Sequence, residues 1–253
     1  MKYSLIVLAF GLILWGCGAS SLNTANMTPS ERLDYALKLY NNRDYERALK
    51  EFQGIVLQYP GNAVVDSAQY FLGQTRFKRG EYILAAYEFS KLIKNMPSSH
   101  FVSDAQFMLA DSYYLLSPNY ALDQKYTKKA IEEFQAFIDF FPTNARVPEA
   151  EKKIAEMNEK LAHKEYHTAY IYERMEYYTA ALKYYDLVLD TYHDTKYAPM
   201  ALYAKIKLLV DRKRNDEALT EISNFIERYP NDNNLKEVER IKASIQSKLS
   251  ESK

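Results

Sequence analysis

Cysteine is almost absent from this chain: Cys17 is the only one in 253 residues. A lone thiol allows neither an internal disulfide framework nor a thiolate metal site. Charge of one sign is lacking as well. The 33 basic and 33 acidic residues balance, so long-range steering toward nucleic acid is not expected. The N-terminal apolar run, Tyr3 to Trp15, has 13 residues, short of the roughly 20 that a membrane-spanning helix needs. No glycine-rich phosphate loop and no G-x-S-x-G nucleophile turn occurs. Histidine is sparse, with four in all. His163 and His167 lie i, i+4 with Glu165 between them, a spacing able to hold zinc. Yet no glutamate directly follows the first histidine and no third ligand is evident, so this pair is expected on a solvated helix face. His100 and His193 stand isolated in expected inter-repeat loops. No catalytic residue, metal or cofactor is expected, and the chain does not read as an enzyme.

What is present is a repeat. A small residue, an aromatic or apolar residue four places on, an apolar one seven places on and a helix stop twelve places on recur five times. The sets are Ala48, Phe52, Ile55, Pro60; Ala85, Phe89, Leu92, Pro97; Ala130, Phe134, Phe137, Pro142; Ala181, Tyr185, Val188, His193; and Ala218, Ile222, Phe225, Pro230. Each set fits the second helix of a two-helix unit: the small residue admits a close neighbour, the next two share a face, and proline ends the helix. First helices show as Tyr35 and Ala36 with Leu39 and Tyr40, Leu72 and Gly73 with Phe77, Leu109 and Ala110 with Tyr113 and Tyr114, Ala169 and Tyr170 with Tyr172, and Ile206 with Leu209. Such units cannot bury their apolar faces alone. The expected fold is therefore all-α, a right-handed tetratricopeptide-repeat solenoid of about five helix pairs whose concave wall comes mostly from first helices.

The alanines are spaced 37, 45, 51 and 37 residues apart, against about 34 for a tetratricopeptide repeat. The first excess falls at Ser117, Pro118, Asn119 and on to Gln124, where turn formers predict a surface loop. The second falls between Pro148 and Arg174, which holds no glycine or proline, while Ile154, Met157, Leu161 and Thr168 keep a helical phase. One long connecting helix starting at Pro148 is predicted there. Thr28, Pro29 and Glu31 form a helix start with a capping box. Leu235, Val238, Ile241, Ile245 and Leu249 form the single apolar stripe expected of a capping helix.

The organisation expected is residues 1–16 a signal peptide, 17–27 a lipidated cysteine and flexible tether, 28–147 repeats 1–3, and 148–253 the long helix, repeats 4–5 and the capping helix. Lys2 followed by the apolar run reads as a secretory signal. Leu14 to Cys17 resembles the lipobox of bacterial lipoproteins, in which the cysteine is acylated; several acyl chains, at about 0.8 kcal/mol per buried CH₂, hold stably to a bilayer. Gly18 after it, by the same resemblance, implies sorting to the outer membrane. The polar tether that follows has a root-mean-square reach of roughly 17 to 19 Å. Most of the 23 tyrosines and 12 phenylalanines are expected to pack between helices.

A lipobox followed by five degenerate repeats with two insertions resembles the BamD family of outer-membrane protein assembly lipoproteins. The likeness is most visible from Pro97 to Ala105, at Leu109, Ala110, Tyr113 and Tyr114, at Ser117, Pro118, Leu122, Asp123, Gln124, Tyr126 and Thr127, and from Ala130 to Ile138. It implies a non-catalytic scaffold, anchored by Cys17 in the outer membrane and facing the periplasm. The partners it implies are the periplasmic POTRA region of a BamA-type barrel protein and the C-terminal signals of unfolded β-barrel substrates. Registering the repeats places Tyr70, Gln74, Phe77, Lys78, Phe107, Asp111 and Tyr114 toward the concave side, as a candidate substrate groove. By resemblance, docking of the barrel partner lies in the C-terminal half, with Arg174, Lys183 and Tyr184 as candidates. Periodicity alone does not separate this reading from a lipoprotein regulator of a peptidoglycan synthase, or from an adaptor in gliding or secretion complexes.

Overall fold

In every second helix, the residues of the alanine–aromatic–apolar sets are at most 1 % exposed. That burial organises the fold, seen in a computed structural model that describes residues 26–251. The expected signal segment, Cys17 and nearly all of the tether lie outside the described residues. Eleven helices and no strand occur among the described residues. They run α1 Pro29–Asn41, α2 Tyr45–Gln58, α3 Val65–Lys78, α4 Tyr82–Asn95, α5 Val102–Leu116, α6 Lys125–Phe140, α7 Val147–Arg174, α8 Tyr178–Thr191, α9 Tyr197–Asp211, α10 Asn215–Arg228 and α11 Leu235–Glu251. Consecutive helices pack, and first helices of successive units also touch, α1 with α3 and α7 with α9. The array is a tetratricopeptide-type solenoid of five pairs closed by α11.

Local signals account for the boundaries. Thr28 Oγ1 accepts the Glu31 N–H at 3.3 Å and Glu31 Oε2 accepts the Thr28 N–H at 2.8 Å, the capping box read from sequence. The turns inside four units share one geometry. Arg43, Gly80, Glu176 and Lys213 adopt φ of 62°, 76°, 64° and 59°. The next residue's N–H in each case reaches back to Leu39, Arg76, Tyr172 or Leu209 at 2.9 to 3.0 Å, closing a left-handed helix C-terminus. In the third unit the Ser117–Gln124 loop replaces that turn. Helix α7 begins at Val147, so Pro148 is one residue further in than expected. At 28 residues α7 is the predicted long helix. Gly73 is small because α4 lies against it: a Cβ there would stand 2.7 Å from the Phe89 ring.

Three cores run along the array. The first spans Ala36 to Leu72, the second Ala85 to Met157, the third Ala169 to Ile245. Helix α7 belongs to two of them, giving Ala150 and Met157 to the second and Ala169 to the third.

A repeated polar grip ties first helix to second. Arg32 Nε donates to Glu51 at 2.7 Å. Gln69 Nε2 donates to the Glu88 carboxylate at 2.8 Å and its carbonyl at 3.1 Å, and Gln106 repeats both distances with Glu133. The three glutamates each stand three residues beyond the small residue of a set.

Candidate peptide groove and docking surface

Tyr70, Gln74, Phe77 and Lys78 share one stripe of α3. The Tyr70 ring stacks on Phe101, centroids 4.5 Å apart and 11° from parallel, and its hydroxyl accepts from Gln74 Nε2 at 2.8 Å. Burial, with the charge of Asp104, pushes the Tyr70 hydroxyl above its ordinary pKa. Phe77 is half-buried and meets Tyr82 edge-on at 5.3 Å, and Lys78 is exposed. Tyr70, Gln74 and Phe77 are thus half-buried on this stripe and Lys78 is exposed at its end.

The three candidates on α5 fare differently. Phe107 is a correction: it is wholly buried rather than in a groove. The rings of Phe134 and Phe137 stand 5.2 Å away and the Arg146 guanidinium lies 3.3 Å over its face. Its enclosure comes from its own unit's second helix, α6, and from Arg146 at the N-terminus of α7. The same helix claims Asp111, which ion-pairs with Lys153, and Tyr114, whose hydroxyl donates to Glu156 Oε2 at 2.6 Å. That bond, then burial, pushes the Tyr114 hydroxyl up to about 12. Asp111 and Tyr114 therefore seat α7.

The histidine pair is a second correction. His167 is exposed as expected, but His163 is only partly so. Its ring stacks between Tyr120, 3.7 Å away, and Tyr197, 4.9 Å away, while His167 remains exposed. Burial, with His167 and Lys196 nearby, lowers the pKa of His163. No group of three or more histidine, cysteine or acidic side chains suited to a metal occurs among the described residues.

Arg174 ends α7, exposed, with its guanidinium 5.9 Å over Tyr170. Lys183 is exposed, and half-buried Tyr184 stacks on Tyr172 at 5.3 Å. Around them sequence reasoning missed an apolar surface: Tyr170, Ile171, Met175 and Tyr177 are 43 to 58 % exposed. Their spacing on α7 was the signal available, since Tyr170, Ile171 and Met175 fall outside the core phase. Beside them opens a cleft of about 570 Å³ walled by Tyr172, Tyr177 and Tyr178. An apolar patch with an arginine at its edge is the form of a protein contact.

Comparison with known proteins supplies the context. The chain is similar to the outer membrane protein assembly factor BamD of Rickettsia prowazekii, 27 % identical over 226 residues, covering 89 % of this chain and 90 % of that one. It is also similar to the protein of the same name from Helicobacter pylori, 26 % identical over 106 residues, covering 42 % and 48 %. Among solved structures, the TPR2AB domain of yeast Sti1 covers 88 % of this chain and 84 % of its own at 17 % identity. Its TM-score is 0.43. A sequence model of the family described as YfiO, outer membrane lipoprotein, matches residues 25–212. With its first four repeats, its long α7 and most of its length covered by that match, the chain belongs to the YfiO family of outer membrane lipoproteins, the BamD family.

Proposed function

We propose that this protein is a non-catalytic, lipid-anchored subunit of the machinery that assembles β-barrel proteins in the outer membrane. Cys17 carries the anchor and the repeats face the periplasm. The C-terminal repeats dock on the POTRA region of a BamA-type barrel protein. The strip of Tyr70, Gln74, Phe77 and Lys78 receives C-terminal segments of unfolded barrel substrates. Relatives named as outer membrane protein assembly factors support the role, and no helix among the described residues is long and apolar enough to cross a membrane.

The observation that carries the docking half is the exposed apolar patch of Tyr170, Ile171, Met175 and Tyr177 around Arg174. Rigid aromatic rings flanked by arginine are what interface centres are enriched in. The groove half rests on stacking. Each well-seated ring contributes about 0.5 to 1.5 kcal/mol beyond area burial, and Lys78 is free to meet a terminal carboxylate.

Co-purification from detergent-solubilised envelopes tests the assignment. The Arg174→Ala, Lys183→Ala, Tyr184→Ala triple variant, melting like the parent, is expected to lose the BamA-type barrel. Recovery of that barrel in normal amount would refute this docking surface. Recovery of a penicillin-binding protein in its place would refute the assembly role.

A further inference from the structure

In this array a first helix lies between two second helices: α3 between α2 and α4, α5 between α4 and α6, α9 between α8 and α10. Helix α7 has α6 on one flank and α8 on the other, but α7 is 28 residues long and α8 only 14. Tyr166, Tyr172 and Glu173 of α7 meet Tyr184 and Tyr185 of α8. The turn after α8 then closes on Glu159, whose Oε1 accepts the Lys196 N–H at 2.9 Å. Helix α8 is thus spent on the C-terminal half of α7. From Glu151 to Glu159, about two turns, α7 keeps α6 and lacks its second neighbour.

The place left open is a groove of about 510 Å³ between α6, α7 and the α8–α9 turn. Its floor is apolar, with half-buried Ile138, Ile154 and Tyr192. Ala155 is exposed in the same wall, and so small a side chain lets a helix approach closely. The rim is acidic: Glu151, Glu156, Glu159 and Asp194 stand there against one lysine, Lys152. Glu159 Oε2 is buried without a hydrogen bond, the Lys196 ammonium standing 3.4 Å away. A buried carboxylate oxygen without a donor costs stability, and an occupant bringing ammonium or guanidinium groups to this rim answers that need.

We propose that the groove seats a helix of a partner protein, running on from the end of α8 along α7, with apolar residues on one face and lysine or arginine beside them. The apolar face covers Ile138, Ile154 and Tyr192, and the cations meet the carboxylates of the rim. A helix fits because residues 151, 154, 155, 158 and 159 of α7 follow one helical face, and because a second helix fills the equivalent seat along the other first helices. The rim turns away acidic segments by the same charge that draws basic ones. This surface shares no residue with the α3 strip or with the apolar patch around Arg174.

The test is a titration of the full chain in uncharged detergent with an alanine-based helix peptide of about 15 residues, the length at which an isolated helix begins to hold. It carries leucines on one face and lysines beside them; a twin has glutamate at each lysine and shares the apolar face, so uptake by micelles is matched. Isoleucine-methyl NMR reads the groove. The lysine peptide should shift the Ile138 and Ile154 methyl signals and bind about tenfold or more tighter than its twin. Glu151→Lys combined with Asp194→Lys should erase that margin, and Ala155→Arg, which fills the groove from within, should block the peptide. Thermal melts confirm folding, and Glu151 and Asp194 are exposed, so their reversal keeps the test decisive if Ala155→Arg disturbs α7. Equal binding of the two peptides, parental affinity in the charge-reversed variant, or methyl shifts that spare Ile138 and Ile154 would each overturn the proposal. So would displacement of the peptide by spermidine at equal concentration, which would mark a site for small polyamines. Such a failure leaves the α3 strip and the Arg174 surface standing.

Discussion

Phe77 and Phe107 lie on successive first helices, Phe107 at the place that Tyr70 holds in the unit before and Phe77 at that of Tyr114, and truncation separates core from groove. At Phe107 the ring is wholly enclosed, with two edge-on neighbours at 5.2 Å and a guanidinium at 3.3 Å. Phe107→Ala should cost about 3 to 5 kcal/mol, transfer and cavity terms together. For a chain of this size each kcal/mol moves Tm by about 2 to 4 °C, so the melt should fall by roughly 6 to 20 °C. Phe77 is half-buried with one ring contact, at 5.3 Å. Its truncation should cost about 0.8 to 1.5 kcal/mol, half the value of burying a phenylalanine, and move Tm by roughly 1.5 to 6 °C. Circular dichroism at 222 nm reads both melts (the wavelength reports helix), and titration with a C-terminal barrel peptide reads the groove. Phe77→Ala should weaken that peptide while remaining folded. A Phe107→Ala melt within about 2 °C of the parent, or a larger loss at Phe77, would refute the division between core and groove.

The left-handed turns give a paired expectation. At Gly80 a Cβ would meet nothing within 4 Å, so Gly80→Ala should cost about 1 to 2 kcal/mol through backbone strain alone. Lys213→Gly should relieve such strain, less about 0.5 to 1 kcal/mol of added chain entropy. Urea midpoints moving in the same direction for both would contradict this. Alkaline stability follows from three raised groups. Burial and the bond to Glu173 raise Tyr185, and the bond to Glu156 raises Tyr114 to about 12. Burial opposes the charge of Lys205, but its bonds to Asp186 and Glu221 outweigh that and raise it. Groups raised on folding contribute fully below their unfolded values, 10.0 for tyrosine and 10.5 for lysine, and lose that contribution as pH climbs through the folded ones. Urea stability should therefore fall steadily from about pH 10, and less steeply in Tyr185→Phe. A flat profile to pH 11.5 would refute the assignment.

The repeat was legible because burial in a second helix depends on its own periodicity. Ala85, Phe89 and Leu92 announce their face without reference to anything distant. Phe107 was not legible in this way. Its burial depends on how Phe134 and Phe137 of α6 and Arg146 ahead of α7 close over it, which the periodicity of α5 does not record. His163 failed for the same reason: an i, i+4 pair defines a face, while Tyr120 and Tyr197 reach it from a loop and a helix remote in sequence. The turns at Arg43, Glu176 and Lys213 left no trace, since nothing in those residue types marks a left-handed conformation. Glu51, Glu88 and Glu133 could have been found, because each holds the same place after its alanine.

Helix α7 also fixes an order of assembly. A chain arriving from its N-terminus has three complete helix pairs once Phe140 has emerged. The core around Phe107 and Phe134 nevertheless stays unsealed until Ala150 and Met157 follow. The same rod then presents Ala169 to partners on α8 and α9 that are still to come. The array is thus laid down like overlapping masonry, each course locked only when the next is under way, and cutting it at residue 147 leaves two sealed units and an open third.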